Sequence, residues 1–172
     1  KKCPYCDFNI STNKSDTDEE NLIKAIIFDI ENSKVAINNR KFKSIYFGGG
    51  TPSLVKGELI GVVINFLKKN DLIENNAEVS FEFNPQEVSK DYLDCIVGHG
   101  VNRLSIGVQS FDDKTLSSLE RNHNKKRSLE SIEVISLLKG VRTSIDLIYG
   151  VMDQTLNSFE LDLKIFSEFD LS

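Results

Sequence analysis

Residues 44–52 read Ser-Ile-Tyr-Phe-Gly-Gly-Gly-Thr-Pro, and this stretch decides how the rest of the chain is interpreted. Its first half is short, apolar and rich in β-branched and aromatic residues, which favours a buried strand. Three consecutive glycines then end the strand and let the backbone approach a ligand closely, with amides and carbonyls exposed. The glycine spacing matches neither a P-loop nor a dinucleotide fingerprint, so we expect a ligand-binding turn of another kind.

The same unit, a short apolar run followed by a longer stretch of helical period, repeats along the chain. Strands that alternate with helices imply right-handed crossovers and a parallel sheet, so the expected fold class is α/β. Ser89 and Thr155 are placed to cap the helices that follow them. The sequence predicts strands at 44–47, 78–83, 103–108 and 142–149, and helices at 18–38, 55–69, 90–98, 113–121, 127–139 and 156–169.

Glycines or polar residues gather where each predicted strand ends. The triple glycine follows the first strand, Glu82 and Asn84 close the second, Gln109 follows the third, and Asp146 lies on the fourth. The carboxyl ends of parallel strands meet on one face of a barrel, or lie along one edge of an open sheet, and active sites are built there. We therefore expect a composite site at these ends.

Length, composition and charge exclude several classes of protein. A chain of 172 residues fits one domain with a buried core, and we treat 1–172 as one domain. Its 21 Lys and Arg against 26 Asp and Glu give a net charge of −5, which argues against a nucleic-acid binder. No apolar run reaches the ~18 residues of a transmembrane segment, and no signal peptide is evident. With only 3 cysteines, a reducing, cytoplasmic setting is expected.

Cys3 and Cys6 form a Cys-x-x-Cys pair, in which a tight turn can bring two thiolates to one metal. From the residues alone, the pair can be half of a zinc site, a redox dithiol, or two ligands of an iron–sulfur cluster. A complete tetrahedral zinc site would need two further ligands, and the candidates are Cys95, His99 and His123. We expect Cys95 to be a packing residue and His99 a surface loop residue. We expect His123 to pack at a helix end or to form a surface hydrogen bond.

The carboxylates on the predicted strands need partners. Glu82 and Asp146 have apolar strand neighbours, so each should be partly buried and should be hydrogen-bonded or paired. Arg121 can supply a planar donor for an ion pair, or can bind the carboxylate of a ligand. The residues alone leave a structural salt bridge and a binding site equally open.

Five strings, taken in order, resemble a radical S-adenosylmethionine (SAM) protein of the oxygen-independent coproporphyrinogen III oxidase-like family. The resemblance covers essentially the whole chain. The strings are Lys2-Cys-Pro-Tyr-Cys-Asp-Phe8, Tyr46-Phe-Gly-Gly-Gly-Thr-Pro-Ser53, Phe81-Glu-Phe-Asn-Pro85, Asn102-Arg-Leu-Ser-Ile-Gly-Val-Gln-Ser-Phe111 and Ser144-Ile-Asp-Leu-Ile-Tyr-Gly150.

The resemblance implies a partial (β/α) barrel of the radical SAM type that holds a [4Fe–4S] cluster and SAM. Family members ligate the cluster through Cys-x-x-x-Cys-x-x-Cys, in which Cys3 and Cys6 match the second and third ligands. The first ligand, the first strand and the C-terminal region are expected outside 1–172, so the chain is interpreted as a fragment of the core domain. No catalytic residue is assigned. The positions that match SAM contacts are Tyr5 near the adenine, Gly49, Gly50 and Thr51 at the methionine moiety, and Glu82, Gln109, Arg121 and Asp146.

The residue at position 8 indicates the branch of the family. Phe8 stands where members that act on coproporphyrinogen carry a further cysteine, so the chain is similar to the heme-chaperone (HemW-like) branch. That branch implies heme or a porphyrin as bound cargo and a hemoprotein as the recipient. The alternative is an oxygen-independent coproporphyrinogen III dehydrogenase, which decarboxylates two propionates through a 5′-deoxyadenosyl radical. A third hypothesis is an α/β metabolic enzyme that binds an anion at the triple glycine and uses Cys3 and Cys6 as a redox or zinc pair.

Two short strings depart from the family pattern. Glu120 replaces the glycine of Leu-Gly-Arg-x-His, and Met152 replaces the proline of Leu-Pro-x-Gln-Thr. We therefore expect a local change of the backbone before Arg121 and a looser loop around Met152.

Overall fold

A computed structural model of the protein describes residues 3–8, 16–37 and 40–170. Strands and helices alternate along most of this length, as the sequence predicts, and two short 3-10 helices follow the first two strands. The helices are α1 (Asp16–Ile37), α2 (Gly57–Lys69), α3 (Lys90–His99), α4 (Asp113–Ser118), α5 (Lys125–Ser136) and α6 (Leu156–Ser167). The strands are β1 (Phe42–Phe47), β2 (Ile73–Phe83), β3 (Arg103–Gln109) and β4 (Arg142–Leu147), and the 3-10 helices are Pro52–Leu54 and Pro85–Glu87.

The four strands form one parallel sheet in the order β1-β2-β3-β4. One row of paired residues crosses the whole sheet: Phe47 opposes Phe81, Phe81 opposes Leu104, and Leu104 opposes Thr143. The sheet is open, with β1 and β4 each paired on one side within the described residues. The expected α/β class, with parallel strands alternating with helices, is confirmed.

The hydrophobic core lies around the two central strands. Every residue of β3 from Leu104 to Val108 is buried, whereas neither edge strand, β1 or β4, contains a fully buried residue. Phe83 packs against Phe81 at 5.1 Å between ring centroids, and against Tyr92 of α3 edge-on at 5.6 Å. Burial of large apolar side chains is the main source of stability in such a domain, so the central strands are the rigid part of the sheet.

Several element boundaries differ from the predicted ones, and the caps explain part of the difference. α4 ends at Ser118, and α5 begins at Lys125 because the Asn124 side chain accepts a hydrogen bond from the Arg127 amide at 2.9 Å. The predicted caps are confirmed. Ser89 accepts from the Tyr92 amide, and Thr155 forms a reciprocal capping box with Ser158 at the start of α6.

No helix within the described ranges combines the length and the apolar content that a membrane crossing needs.

Candidate functional site

A cavity of about 800 Å³ opens at the carboxyl ends of the four strands. Its walls come from the ends of β1 to β4, from α1, and from the segment 3–8 that carries the two neighbouring cysteines. The structure brings together every residue that the sequence assigns to the site. The lining includes Cys3, Tyr5, Cys6, Gly49, Gly50, Thr51, Glu82, Gln109, Arg121 and Asp146.

Cys3 and Cys6 lie in a tight turn at the cavity wall. The Cys6 amide donates to the Cys3 carbonyl at 3.1 Å, and both side chains are half-buried free thiols. Within the described residues, no three His, Cys, Asp or Glu side chains converge on one point as a metal site of their own would require. The pair therefore fits two ligands of a metal group, and residues 3–8, 16–37 and 40–170 do not supply the further ligands of a zinc site beside it.

The other candidate zinc ligands lie away from this turn. Cys95 is half-buried where α3 packs on Gly57 of α2, as expected of a packing residue, and burial raises the pKa of its thiol. The expectation for His99 is wrong in part. It is the last residue of α3, half-buried, and its ring packs directly on Gly61 of α2 instead of projecting from a loop.

Arg121 connects three separate parts of the chain at the cavity. Its Nη1 donates to the Tyr5 hydroxyl at 2.9 Å and lies 3.6 Å from the Cys3 sulfur. Its Nη2 donates to Oδ1 of Asn84 at 2.6 Å and to the Gly107 carbonyl at 3.0 Å. Within the described residues, Arg121 forms no ion pair with Glu82 or Asp146. The geometry therefore does not support the hypothesis of a structural salt bridge. Arginine can make these bonds at once because its planar guanidinium carries several N–H donors in fixed directions, which the ammonium group of lysine does not.

Gln109 and Arg121 lie side by side because Gly107 has no side chain. A Cβ atom at Gly107 would sit 2.7 Å from Nε2 of Gln109 and 3.7 Å from Nη2 of Arg121. The first distance is a clash, so only glycine permits the Gln109 amide to fold back over β3. The two predicted ligand-binding side chains therefore form one polar corner of the cavity.

The turn after β1 presents backbone groups to the cavity. Gly49 has φ of +121°, a conformation that residues with a side chain rarely adopt, and its amide donates to Oε2 of Glu82 at 3.3 Å. Thr51 donates its hydroxyl to the Gly50 carbonyl at 2.7 Å and accepts from the Asn84 amide at 3.3 Å. This loop is thus a fixed structure rather than a flexible turn.

Each of the two carboxylates at the strand ends has its own neutral donor. Glu82 accepts from the Tyr46 hydroxyl at 2.6 Å, and that bond raises the pKa of Tyr46 to about 12. Asp146 accepts from the Ser105 hydroxyl at 3.0 Å with both oxygens. Glu82 is half-buried as expected, whereas the expectation of partial burial is wrong for Asp146, which is exposed to solvent through the open cavity. Partial desolvation by the cavity walls still raises the pKa of the Asp146 carboxyl, and the charge of Glu82 raises it further.

Four supporting residues were not identified from the sequence as part of the site. Tyr46, Ser105 and Asn84 orient the predicted side chains, and Asn84 was noted only as a residue that follows a strand. Glu87 is the last residue of the second 3-10 helix and lies on the cavity wall, and burial raises the pKa of its carboxyl. Its Oε2 and the Nε of Arg121 are buried without a hydrogen-bond partner in the described residues, so the cavity retains unsatisfied polar groups.

His123 is buried and lies outside the cavity lining. Its Nε2 donates to the Val108 carbonyl at 3.0 Å, and burial lowers the pKa of the imidazole to about 4, so the ring is neutral near pH 7. The interpretation of His123 as a packing residue fits this geometry better than a role as a heme ligand.

The structure describes both segments that depart from the family pattern, the turn at Glu120 and the loop around Met152. Glu120 has φ of +52°, so the turn before Arg121 adopts the left-handed conformation that glycine favours, although a side chain is present. The loop that contains Met152 is held by Gln154. The Gln154 carbonyl oxygen accepts from the Gly150 amide at 2.8 Å, and its amide donates to the Ile148 carbonyl at 3.2 Å.

These features define an α/β protein with a polar cavity at the carboxyl ends of its parallel strands and two free thiols in a turn beside that cavity. The chain belongs to the radical SAM superfamily, because the model of that family matches residues 1–164. Membership implies a [4Fe–4S] cluster and SAM. The expected family and fold are therefore confirmed.

Similar proteins are found within that superfamily. The chain is 36% identical to the heme chaperone HemW of Buchnera aphidicola subsp. Acyrthosiphon pisum, over 96% of this chain and 44% of the relative. It is 34% identical to the heme chaperone HemW of Escherichia coli, over 95% of this chain and 43% of the relative. The chain thus spans less than half the length of the curated relatives it matches. The structure of coproporphyrinogen III oxidase (HemN) from Escherichia coli, a radical SAM enzyme, superposes with a TM-score of 0.88 at 28% identity, over 99% of this chain and 39% of that one.

Proposed function

We propose that this chain is the radical SAM core of a heme chaperone of the HemW type. In this proposal the cavity binds SAM, and the complete protein binds heme and delivers it to a hemoprotein. The observation that carries the proposal is the set of donors and acceptors at the four strand ends: backbone amides, one guanidinium and two carboxylates. A zwitterionic sulfonium ligand with ribose hydroxyls needs this combination of groups.

Each wall of the cavity has a role in this proposal. Arg121 and the loop of Gly49, Gly50 and Thr51 hold the methionine end of SAM. Glu82 and Asp146 accept hydrogen bonds from its ammonium and hydroxyl groups. Gln109 contributes its amide beside Arg121, and Tyr5 lies near the adenine.

Cys3 and Cys6 supply two of the three cysteine ligands of the cluster. The cysteine turn fits this role because both thiols are free and Arg121 donates toward the Cys3 sulfur. Hydrogen bonds to ligand sulfurs are one way in which proteins tune iron–sulfur clusters. When bound, the cluster and SAM supply radical chemistry, and the protein contributes orientation and shielding from water.

The choice of the chaperone branch depends on the relatives and on Phe8. Phe8 lies on the cavity wall with 58% of its side chain exposed, at the position where the coproporphyrinogen-oxidising branch has a cysteine. The relatives named above as heme chaperones match nearly the whole chain, whereas the likeness to HemN favours the dehydrogenase as the second candidate. The three free thiols fit a reducing compartment, and we propose the cytoplasm.

The cluster is tested by matched cysteine variants of the complete protein, reconstituted anaerobically with iron and sulfide. Cys3→Ala and Cys6→Ala should each abolish the visible charge-transfer absorption of the cluster and most of the bound iron. Cys95→Ala is the control, because Cys95 packs between α2 and α3, and it should retain the cluster. Equal iron content in all three variants would refute the ligand assignment.

The branch is tested with the same preparation, given a reductant, SAM and either coproporphyrinogen III or heme. A chaperone should leave coproporphyrinogen III unchanged and should give a saturable Soret change with heme. Conversion of coproporphyrinogen III to the divinyl product, detected by fluorescence after oxidation and separation, would establish the dehydrogenase instead.

A further inference from the structure

β3 ends in a strained turn centred on Gln109. The Ser110 amide donates to the Val108 carbonyl at 2.9 Å, which closes a turn of three residues, and Gln109 at its centre has φ of +69°. A three-residue turn with positive φ at its centre is rare in proteins and is strained for a residue with a side chain. Such a turn persists only where neighbouring groups hold it.

Contacts from outside the turn hold it at every residue. Nε2 of His123 donates to the Val108 carbonyl at 3.0 Å, and the Ile148 amide donates to the Gln109 carbonyl at 2.9 Å. Beyond these, Asp162 of α6 accepts from the Ser110 hydroxyl at 2.7 Å. The second oxygen of Asp162 accepts from the Phe111 amide at 2.6 Å.

The two side chains that hold the turn are buried outside the cavity. His123 is 6% exposed and Asp162 is 1% exposed, and neither lines the cavity wall. Burial of a carboxylate such as that of Asp162 is costly in free energy unless its oxygens are hydrogen-bonded. Both oxygens of Asp162 accept hydrogen bonds from the end of the turn, one from Ser110 and one from the next residue, Phe111.

The turn determines where the Gln109 side chain lies. The left-handed conformation directs the Gln109 amide back over Gly107, next to Arg121 and into the cavity. If the strain at Gln109 were released, its φ would change, and that change would turn the Cα–Cβ bond and move the side-chain amide away from its place over Gly107.

We infer that His123 and Asp162 are positioning residues for the SAM site. They hold the strained turn at Gln109, and through it they present the Gln109 amide to the ligand without touching the ligand. The inference rests on the proposed function, which supplies SAM as that ligand.

A double-mutant cycle with the complete, cluster-loaded protein tests the inference, with the dissociation constant of SAM as the readout. His123→Phe and Asp162→Ala should each weaken SAM binding by about tenfold, the effect of losing one to two hydrogen bonds. The conservative variants His123→Gln and Asp162→Asn keep groups able to bond to the turn and should restore binding to within about threefold of the wild type.

The decisive measurement repeats these substitutions in a Gln109→Ala background. Residues that act through Gln109 should then change the dissociation constant less than about twofold, since coupled positions are not additive. Ser131→Ala is the control for loss of a buried hydroxyl, because the Ser131 hydroxyl donates to the Ser128 carbonyl within α5 and contacts neither the turn nor the cavity among the described residues. It should leave SAM binding unchanged in both backgrounds.

Hydrogen exchange without SAM gives a second readout that does not depend on the ligand. The Ser110 amide should exchange faster in His123→Phe and in Asp162→Ala, and it should be unchanged in Ser131→Ala. Ser110→Ala is a gentler variant should Asp162→Ala fail to fold, because it removes one bond to Asp162 and keeps the other.

The outcomes separate this inference from the proposed function. Equal weakening of SAM binding in both backgrounds would overturn the inference alone, since it would show that His123 and Asp162 act only through general stability. Wild-type affinity in Gln109→Ala would overturn the inference as well, while SAM binding itself stands. A wild-type protein that carries its cluster and binds no SAM would overturn the proposed function, and the inference with it.

Discussion

Arg121 makes hydrogen bonds to three segments that form the wall of the cavity. Its guanidinium bonds to the cysteine segment through Tyr5, to the end of β2 through Asn84, and to the backbone of β3 through Gly107. These three parts of the chain are distant in sequence. A single planar donor group therefore fixes the distance between the proposed cluster ligands and the strand ends.

Replacement of this arginine by lysine should separate charge from geometry. Arg121→Lys keeps the positive charge but cannot reach all three acceptors at once, so we expect SAM affinity to fall by about tenfold or more. The measurement is a titration of the complete, reconstituted protein with SAM. Arg127→Lys is the matched control, because Arg127 bonds to the backbone carbonyls of Val88 and Gln86 outside the cavity. Equal losses in both variants would show that Arg121 acts only through stability.

His123 should make folding stability depend on pH. Burial lowers the pKa of its imidazole from 6.5 to about 4, so below pH 6.5 the unfolded chain takes up a proton that the folded chain resists. The stability associated with the neutral ring is therefore complete above pH 6.5 and is lost as the pH falls toward 4. At pH 5 this residue should cost about 2 kcal/mol relative to pH 7.

Chemical denaturation of the cluster-free protein at pH 7 and pH 5 measures this effect. His123→Gln removes the titrating group and keeps a donor for Val108, so its loss of stability between the two pH values should be smaller by about 2 kcal/mol. An identical loss in the variant and the wild type would mean that other groups account for the pH dependence.

At the scale of elements, the side chain of Asn102 connects β2 and β3 at the point where their backbones begin to pair. Asn102 precedes β3, and its Oδ1 accepts from the Val79 amide at 2.8 Å. Its Nδ2 donates to the Ala77 carbonyl at 2.9 Å, while its own amide donates to the Val79 carbonyl at 3.0 Å. The side chain thus satisfies backbone groups of β2 that β3 does not reach.

Asn102→Ala should therefore destabilise the sheet by about 2 kcal/mol, because it leaves one amide and one carbonyl of β2 without partners. Asn76→Ala, at an exposed position of β2, is the control and should change stability by less than about 0.5 kcal/mol. Urea denaturation of both variants checks this, and equal midpoints would contradict the role of Asn102.

The elements that the sequence predicts well are those with strong periodic patterns and caps, such as β3, α3 and α6. The predicted start of β2 at residue 78 is too late, because Asn75 and Asn76 are exposed and are poor strand formers, although the strand begins at Ile73. Its tertiary pairing, in which Ile73 lies opposite Phe42, extends the strand beyond what local propensity indicates. Such boundaries depend on partners that are distant in sequence, and a local pattern does not contain them.

For the molecule as a whole, the sequence predicts which residues line the cavity but not how they are held. The five family strings contain every predicted contact except Arg121, and the structure places all of the predicted contacts on one cavity. The partners that orient them, such as Tyr46 for Glu82 and Ser105 for Asp146, lie on neighbouring strands, and the sequence does not indicate which partner each carboxylate has. The positive φ of Gln109 is likewise invisible in the sequence, because glutamine rarely adopts it.

A whole-molecule prediction follows from the position of the cavity. SAM should slow hydrogen exchange at the carboxyl ends of all four strands, around residues 47–51, 82–84, 107–109 and 146–147, because its binding closes the cavity that these ends share. The amino ends of the strands and the outer surface of α2 should not change. Protection confined to a single strand end would contradict a composite site.

The strand order β1-β2-β3-β4 also affects how the chain reaches this structure. In the part of the chain that the structure describes, every strand pairs only with its neighbours in sequence, so each new strand and helix can add to the edge of what is already folded. Such sequential pairing shortens the loops that must close and suits folding during synthesis. Because Asp146 lies on the last of these strands, the cavity acquires its fourth wall only when β4 has docked, and an early product of translation would hold the cysteine turn and the triple glycine without a complete site.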